Sequence, residues 1–272
     1  MDDKELQTYR KVGKIASDVR EWSKSLIMNG EPIIEIAEKI EKKVISSGGE
    51  PAFPVNICIN DITAHYTPKF NDKTIINKND VISVDLGVHI NGYIADTAYT
   101  IDLSGNYEKM LKANEDALNK AGFKSIENLT GHEIKQYDLH AGISIPNIEV
   151  PYDWEIREGM VLALEPFATD GYGRVIESKQ AEIFSLKEIK PTRMREARIL
   201  LNEIEKRKKL PFAERWFTKK INPMRLSLVL RDLVSNEVLK AYPILHEKEK
   251  GVVSQFEHTV IVTEDGCEVT TE

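Results

Sequence analysis

The chain has 272 residues, of which 41% are hydrophobic and 30% charged, the composition of a soluble globular protein with one large domain or a domain with an insertion. Its net charge of −7 argues against a protein devoted to DNA or other nucleic acid. No apolar run reaches 18 residues, the first residues are charged, and the two cysteines lie far apart. These features favour a cytoplasmic protein with no membrane span and no disulfide framework.

Helices and strands are predicted in the first third of the chain from the spacing of its apolar residues. Residues 4–29 and 31–49 have helical spacing, and each pattern ends at glycine. Residues 51–60 and 62–68 have the composition of strands, and residues 81–102 that of a hairpin. We expect the two helices to cover one face of a sheet.

The predicted hairpin carries one acid on each arm. Its turn is the dipeptide Asn91-Gly92, the strongest short signal for a two-residue loop. Such a loop pairs Asp85 with Ala98 and makes Asp96 a diagonal neighbour of Asp85, about 7–8 Å away. Two like charges in an apolar strand pair require a proton or a cation. We expect one metal ion or two; a pair of solvent-facing acids on an edge strand is the alternative.

The second half of the chain contains two more acids in apolar strands. Residues 107–121 predict a helix that ends at a glycine. The strand predicted at 160–167 carries Glu165, and the strand predicted at 251–262 carries Glu257. These acids could join the pair on the hairpin.

A helical and basic segment separates these two strands. From residue 187 to residue 225 the chain has 13 lysines and arginines against five glutamates, a local excess of +8 that leaves −15 on the rest. This segment therefore differs electrostatically from the remainder of the protein.

Four carboxylates and one histidine form a candidate metal-binding set. They are Asp85, Asp96, His132, Glu165 and Glu257. Oxygen-rich ligands with a single nitrogen suit manganese, iron or cobalt in a two-metal site better than a closed structural zinc site with sulfur ligands.

Six motifs spread over nearly the whole chain resemble those of one enzyme family. They are Ile62-Thr-Ala-His65-Tyr-Thr-Pro68, Asp85-Leu-Gly-Val-His-Ile-Asn-Gly-Tyr-Ile-Ala-Asp96-Thr-Ala, Gly131-His132, Leu139-His140-Ala-Gly, Ala163-Leu-Glu165-Pro-Phe and Gln255-Phe-Glu257-His258-Thr. Together they resemble the methionine aminopeptidases of the type 2 class, which is archaeal and eukaryotic. The resemblance implies an α+β "pita-bread" fold, in which two pseudo-symmetric halves surround a curved antiparallel sheet.

The resemblance also implies how the metal ligands are used. Asp85 would bind one ion, Asp96 and Glu257 would bridge two ions, and His132 and Glu165 would complete the second. The cofactors would be two divalent ions, cobalt, manganese or iron, with zinc as an alternative. Such a pair activates a water molecule near neutral pH and polarises the scissile carbonyl, and Glu165 would shuttle a proton.

Further residues would contact the substrate if the resemblance holds. His65 and His140 would bind it and stabilise the tetrahedral intermediate. Phe53, Leu139 and Tyr242 would help to line the methionine pocket. The implied activity is removal of the initiator methionine from nascent proteins with a small second residue, by an enzyme expected to be a monomer.

Proteins with two other functions share this fold. One is an Xaa-Pro aminopeptidase or prolidase, which the long insertion and the lack of a separate amino-terminal domain disfavour. The other is a non-catalytic binding protein, which the intact ligand set disfavours.

The 92-residue spacing from Glu165 to Glu257 indicates an insertion of the type 2 class. We expect residues 1–186 and 251–272 to form the catalytic domain and residues 187–250 an inserted helical, winged-helix-like subdomain. Two roles for its basic surface stay open: a solvated cover for the pocket, or contact with ribosomal RNA near the exit tunnel.

The interval from Asp96 to His132 is short for the family. Members normally have two helices there, whereas this sequence predicts one. About two dozen residues are missing from the second half, although the ligands are retained.

Overall fold

A computed structural model describes residues 1–115, 123–151 and 153–272. Within these ranges there are five α-helices: α1 (Asp3–Lys24), α2 (Ile33–Ser46), α3 (Glu108–Glu115), α4 (Arg195–Ile204) and α5 (Pro223–Ser235). Short 3-10 segments span Glu205–Arg207 and Glu214–Phe217. The strands of the amino-terminal half are β1 (Glu50–Pro51), β2 (Asn56–Ile59), β3 (Ile62–Ala64), β4 (Val81–Ile90), β5 (Tyr93–Asp102), β6 (Lys124–Ser125) and β7 (Thr130–Ile134). The remaining strands are β8 (Ser144–Pro146), β9 (Val161–Leu164), β10 (Phe167–Thr169), β11 (Val175–Leu186), β12 (Phe212–Ala213), β13 (Leu239–Glu247), β14 (Val253–Gln255), β15 (His258–Thr263) and β16 (Gly266–Val269).

The hairpin of β4 and β5 has the predicted register. Asp85 pairs with Ala98, and Asp96 pairs with Gly87. The turn residues at 91–92 have φ values of +52° and +84°, as a two-residue turn that follows the strand twist requires. The register prediction is confirmed because the loop length alone determines which residues face each other.

The strands form antiparallel ladders that meet beside the acids of the hairpin. A bridge between Ala98 and Glu257 joins β5 to the segment between β14 and β15. The hydroxyl of Thr259 donates to the carbonyl oxygen of Asp96 at 2.8 Å and accepts from its backbone N–H at 2.7 Å. These bonds hold strands from distant parts of the sequence together where the two acids lie.

Helices α1 and α2 cover the outer face of the hairpin, as predicted. Their buried residues, including Val12, Val19 and Ile36, form one apolar cluster with residues of β4 and β5. Helix α1 begins at a capping box in which Asp2 and Glu5 each accept the other's backbone N–H. The cluster fixes the back of the sheet, and its other face is left for the cleft.

The regions predicted as strands after α2 are shorter than expected. The prediction for 51–60 becomes β1 and β2 with a break between them, where Pro54 has no N–H to donate to a ladder. Strand β3 stops before His65, whose φ is +63°. The prediction for 107–121 is confirmed from 108 to 115, and its remainder lies outside the described residues.

The basic segment contains two helices with a core of their own. Helices α4 and α5 bury residues such as Leu200, Leu226 and Leu230 against one another and against Phe212. The helical pattern predicted for this segment is interrupted between them, where the residues form β12 and the two 3-10 segments. Strand β13 lies within 187–250 but pairs with β11 and β3, so the proposed domain boundaries stay a prediction.

Candidate active site

One cleft brings together all five predicted metal ligands. Asp85 lies on β4, Asp96 on β5 and His132 on β7, while Glu165 follows β9 and Glu257 lies between β14 and β15. Their side chains line a cleft of about 510 Å³ that is partly open to solvent. Residues that are up to 172 positions apart in the chain are therefore neighbours in the fold.

The ligand atoms are spaced as a cation site requires. His132 Nε2 lies 3.7 Å from Asp96 Oδ2 and 3.7 Å from Glu165 Oε1. Single ligand atoms of Asp96, His132 and Glu257 all lie within 4.8 Å of one another. Atoms bound to one ion at about 2.1 Å can lie up to about 4.2 Å apart. A small shift would therefore let these groups share an ion.

Several carboxylate oxygens in the cleft are buried and have no hydrogen-bond partner among the described residues. They are Asp85 Oδ1, Asp96 Oδ1 and Glu257 Oε1. A buried oxygen without a donor is unfavourable, and such groups are rare in folded proteins. These oxygens fit a divalent cation, which would satisfy them without a hydrogen-bond donor.

Burial disfavours the charged forms of the four acids. Removal from water raises the pKa of Asp85 to about 7. Burial, followed by repulsion from neighbouring carboxylates, raises the pKa values of Asp96, Glu165 and Glu257 well above their ordinary range. Burial also lowers the pKa of His132 to about 4, so its ring is neutral and able to bind metal at pH 7. A nearby cation would reverse the effect on the acids.

Asn56 supports Asp85 and was not predicted from the sequence. Its Nδ2 donates to Asp85 Oδ2 at 3.2 Å and to the carbonyl oxygen of Pro54 at 3.3 Å. The two residues are directly opposite each other in the β2–β4 ladder. No local pattern singles out Asn56, because the pairing of β2 with β4 joins segments 29 residues apart.

The five predicted substrate-binding residues line the same cleft. They are Phe53, His65, Leu139, His140 and Tyr242. The His140 ring is centred 4.4 Å from the ring of His132 and 6.3 Å from that of Tyr242. The His65 ring is centred 5.6 Å from the ring of Tyr242. Both histidines therefore lie beside Tyr242 in the cleft that holds the metal ligands.

Arg207 fixes a wall of the cleft from the inserted segment. One of its terminal nitrogens donates to the carbonyl oxygens of Pro51 at 2.8 Å, Ala52 at 3.2 Å and Pro211 at 3.0 Å. Ala52 directly precedes Phe53, and Pro211 itself lines the cleft. Burial lowers the pKa of Arg207 to about 10, which leaves it charged at pH 7. Sequence reasoning missed this role because Arg207 lies in a run of four basic residues.

Comparisons with known proteins agree with the geometry of the cleft. A family model described as metallopeptidase family M24 matches residues 7–121. The methionine aminopeptidase of Methanocaldococcus jannaschii is 43% identical, over 98% of this chain and all of its own length. That of Pyrococcus horikoshii is also 43% identical, over 96% of this chain and 97% of its own. The chain therefore belongs to the M24 metallopeptidases. Within that family it belongs to the methionine aminopeptidases.

Solved structures with low sequence identity share the fold. The methionine aminopeptidase of Thermotoga maritima superposes with a TM-score of 0.71 at 18% identity, covering all of this chain and 98% of its own. A thermophilic Arx1 gives 0.85 at 15% identity, with 99% and 91% covered. The prolidase of Pyrococcus furiosus gives 0.58 at 18% identity, with 100% and 64% covered. These likenesses confirm the pita-bread architecture.

An alignment with a relative spans more positions than this chain has residues. The methionine aminopeptidase of Archaeoglobus fulgidus aligns over 296 positions with the whole of this 272-residue chain. About two dozen aligned positions therefore have no residue here, which matches the number expected from the short interval before His132. In the described part of the chain, no helix has the length and hydropathy needed to cross a membrane.

Proposed function

We propose that the chain removes the initiator methionine from nascent proteins with a small second residue, and that two divalent metal ions bind in the cleft for this reaction. The partnerless buried oxygens of Asp85, Asp96 and Glu257 are the observation that carries the proposal. Asp85 would hold one ion, His132 and Glu165 the other, with Asp96 and Glu257 shared between them. Manganese, iron and cobalt suit this donor set, and zinc is an alternative.

The bound ions supply polarisation of the scissile carbonyl and a water molecule of lowered pKa. The protein contributes the groups that position the substrate and move the proton. Glu165 is suited to carry that proton, because burial already makes its carboxyl group favour the protonated form. Its Oε1 lies 3.7 Å from His132 Nε2 in the same cleft.

His65 is suited to accept a hydrogen bond from the substrate backbone. Its Nδ1 lies 3.1 Å from the carbonyl oxygen of Pro243, which can only accept, so Nδ1 carries the proton. Burial lowers the pKa of His65, and the neutral ring then has an unprotonated Nε2. This nitrogen would accept a peptide N–H and align the scissile bond.

His140 is suited to the developing oxyanion. Its ring lies between His132 and Tyr242 at the cleft mouth. Desolvation by the surrounding cleft, with the nearby His132 and Lys240, lowers the pKa of His140 well below its usual range, although part of the residue is exposed to solvent. A neutral imidazole can donate one N–H to the oxyanion, an interaction worth about 10²–10³ in rate.

The side chain of methionine would lie against Phe53, Leu139 and Tyr242. Phe53 and Leu139 are buried, and both belong to one apolar cluster of the cleft wall. An unbranched thioether suits such a pocket because it is apolar, flexible and polarisable.

In the cell, we expect a cytoplasmic monomer that acts on nascent chains. Contact of the insertion with the ribosome stays a hypothesis, but the run at 206–209 is less available than its sequence indicated. Arg207 binds the cleft wall, Lys208 lies 3.7 Å from the centre of the Tyr137 ring, and Lys209 pairs with Asp138 at 2.5 Å. Charge reversal of exposed residues such as Lys206 and Lys219 is therefore the better test, with ribosome co-sedimentation as the measurement.

A metal titration with peptide substrates tests the proposed activity. Protein treated with a chelator is loaded with each divalent ion and assayed on Met-Ala-Ser, with Ala-Pro as the control peptide. The proposal predicts cleavage of Met-Ala-Ser only, and two ions bound per chain by calorimetry. Cleavage of Ala-Pro would instead favour a prolidase, and metal binding without any cleavage would favour a binding protein. Asp96→Asn should reduce both binding and turnover.

A further inference from the structure

A second cleft continues directly from the metal cleft. It has about 1030 Å³ of space, partly open to solvent, and lies between β13, the end of β11 and the segment before His140. Leu139, His140 and Tyr242 line both clefts. An extended peptide with its first residue at the metal ligands would therefore leave through this second cleft, here termed the exit groove.

The charges that line the exit groove leave one cation unmatched. Lys209 pairs with Asp138 at 2.5 Å, and Lys187 pairs with Glu237 at 3.2 Å. The third lysine, Lys240, has no carboxylate within 4.0 Å among the residues that the structure describes. Its Nζ instead lies 4.6 Å from the centre of the Tyr242 ring. The groove therefore has two neutralised pairs and one exposed positive charge.

We infer that Lys240 makes the enzyme prefer substrates with an acidic third residue. The inference rests on the proposed peptidase function and names a specificity-determining residue for it. Lys240 and Tyr242 are two positions apart on β13 and point to the same side of the strand. Two residues of strand span about 6.6–6.8 Å, the length of two residues of extended substrate. A methionine beside Tyr242 would therefore place the third side chain of the substrate near Lys240.

The effect of Lys240 on its surroundings supports this placement. Its charge contributes to the lowered pKa of His65, after the larger effect of burial. The positive potential of Lys240 thus extends to a residue that would hold the scissile bond. An acidic substrate residue would partly neutralise that potential and gain an ion pair.

The test compares three peptides that differ only in the third residue: Met-Ala-Asp-Gly-Gly, Met-Ala-Asn-Gly-Gly and Met-Ala-Lys-Gly-Gly. For the metal-loaded enzyme at low ionic strength, we expect kcat/KM to be about two- to fivefold higher with Asp than with Asn, and lower with Lys, the range of an exposed ion pair. The difference should be in KM and should shrink in 0.5 M salt.

Variants of Lys240 separate the preference for an acidic third residue from a general loss of activity. Lys240→Gln should bring the Asp to Asn ratio to about one, Lys240→Glu should favour the Lys peptide, and Lys240→Arg should keep the original preference. The matched control is Lys248→Gln, since Lys248 also lies over a tyrosine ring, 3.8 Å from the centre of Tyr172, but outside both clefts. This control should retain the full ratio.

The outcomes distinguish the inference from the proposed function. If the enzyme cleaves all three peptides at equal kcat/KM, or if the ratio survives in Lys240→Gln, the role of Lys240 is overturned while the peptidase function stands. If no peptide is cleaved with any divalent ion, the proposed function itself fails.

Discussion

Gly87 leaves the space that the ring of Phe53 occupies. A Cβ atom built on Gly87 would lie 2.2 Å from Cε1 of Phe53, well inside van der Waals contact. Gly87 is also the partner of Asp96 in the hairpin. Gly87 therefore determines where the ring of the pocket wall lies, while its backbone pairing with Asp96 does not require a glycine.

Gly87→Ala should displace Phe53 and weaken methionine binding. Overpacking of a buried position costs about 1–3 kcal/mol of folding stability. Because the ring that moves is a wall of the methionine pocket, KM for Met-Ala-Ser should also rise, while the metal content stays near that of the parent. Steady-state kinetics and metal analysis check this. Gly266→Ala is the control, because no atom lies within 4 Å of the added methyl group there. An unchanged KM in Gly87→Ala would argue against Phe53 as a pocket wall.

Arg207→Gln should loosen the same wall from the other side. The substitution removes a charged donor from three carbonyl oxygens, and a hydrogen bond to a charged group is worth about 1.5–3 kcal/mol. We expect a lower free energy of unfolding by roughly that amount, measured in urea, and a several-fold higher KM.

The neighbouring residue Lys206 provides the comparison for Arg207. It is exposed and belongs to the same basic run. Lys206→Gln should change neither stability nor KM. If the two variants behaved alike, the contacts of Arg207 with the wall would contribute little.

The hairpin and its acids could be predicted from the sequence because the determinants are local. A two-residue turn fixes the register, and the register fixes which side of the sheet Asp85 and Asp96 share. Glu165 and Glu257 were predicted as ligands because each is a single acid in an apolar strand, and the family resemblance then implied the role of each ligand. Their meeting point depends on pairings such as that of Ala98 with Glu257, which no local pattern encodes.

Other features of the site depend on contacts between distant segments. Asn56 is indistinguishable from a turn or surface residue until β2 is placed against β4. Arg207 resembles a solvated cation until the insertion folds back onto Pro51 and Ala52. Strand β13 was read as part of a helical insertion because its pairing partners, β11 and β3, precede it by many residues.

Asn56→Leu should weaken metal binding more than it weakens folding. Loss of the amide would leave Asp85 free to rotate away from the ion, and outer-shell partners of metal ligands are typically worth 10–100-fold in affinity or activity. Calorimetric titration with manganese measures the effect. The control is Asn106→Leu, at an exposed turn. Asn60→Leu would not serve, because the side chain of Asn60 binds Asp80 and the backbone of Val81. Equal affinities in Asn56→Leu and the parent would exclude this role.

Removal of metal should make stability fall as the pH rises above 6.5. The four acids of the cleft have raised pKa values in the folded chain. The folded state therefore binds more protons than the unfolded state. The stability that these protons contribute is lost as the pH rises through the folded pKa values. The pKa of about 7 for Asp85 lies within this window. The buried histidines have lowered pKa values and act in the opposite direction, but only below about 6.5.

Unfolding in urea at pH 6.5, 7.5 and 8.5 tests this dependence. In a chelator, the free energy of unfolding should decrease by up to about 1.4 kcal/mol per pH unit for each carboxyl group that is protonated in the folded state and ionised in the unfolded state. Saturating manganese should remove most of the decrease, because a bound cation stabilises the charged carboxylates. Glu182, outside the cleft and with a pKa raised by burial to about 7, should leave a small residual slope in both conditions. A free energy that rises with pH in the chelator would mean that the four acids are not brought together without metal.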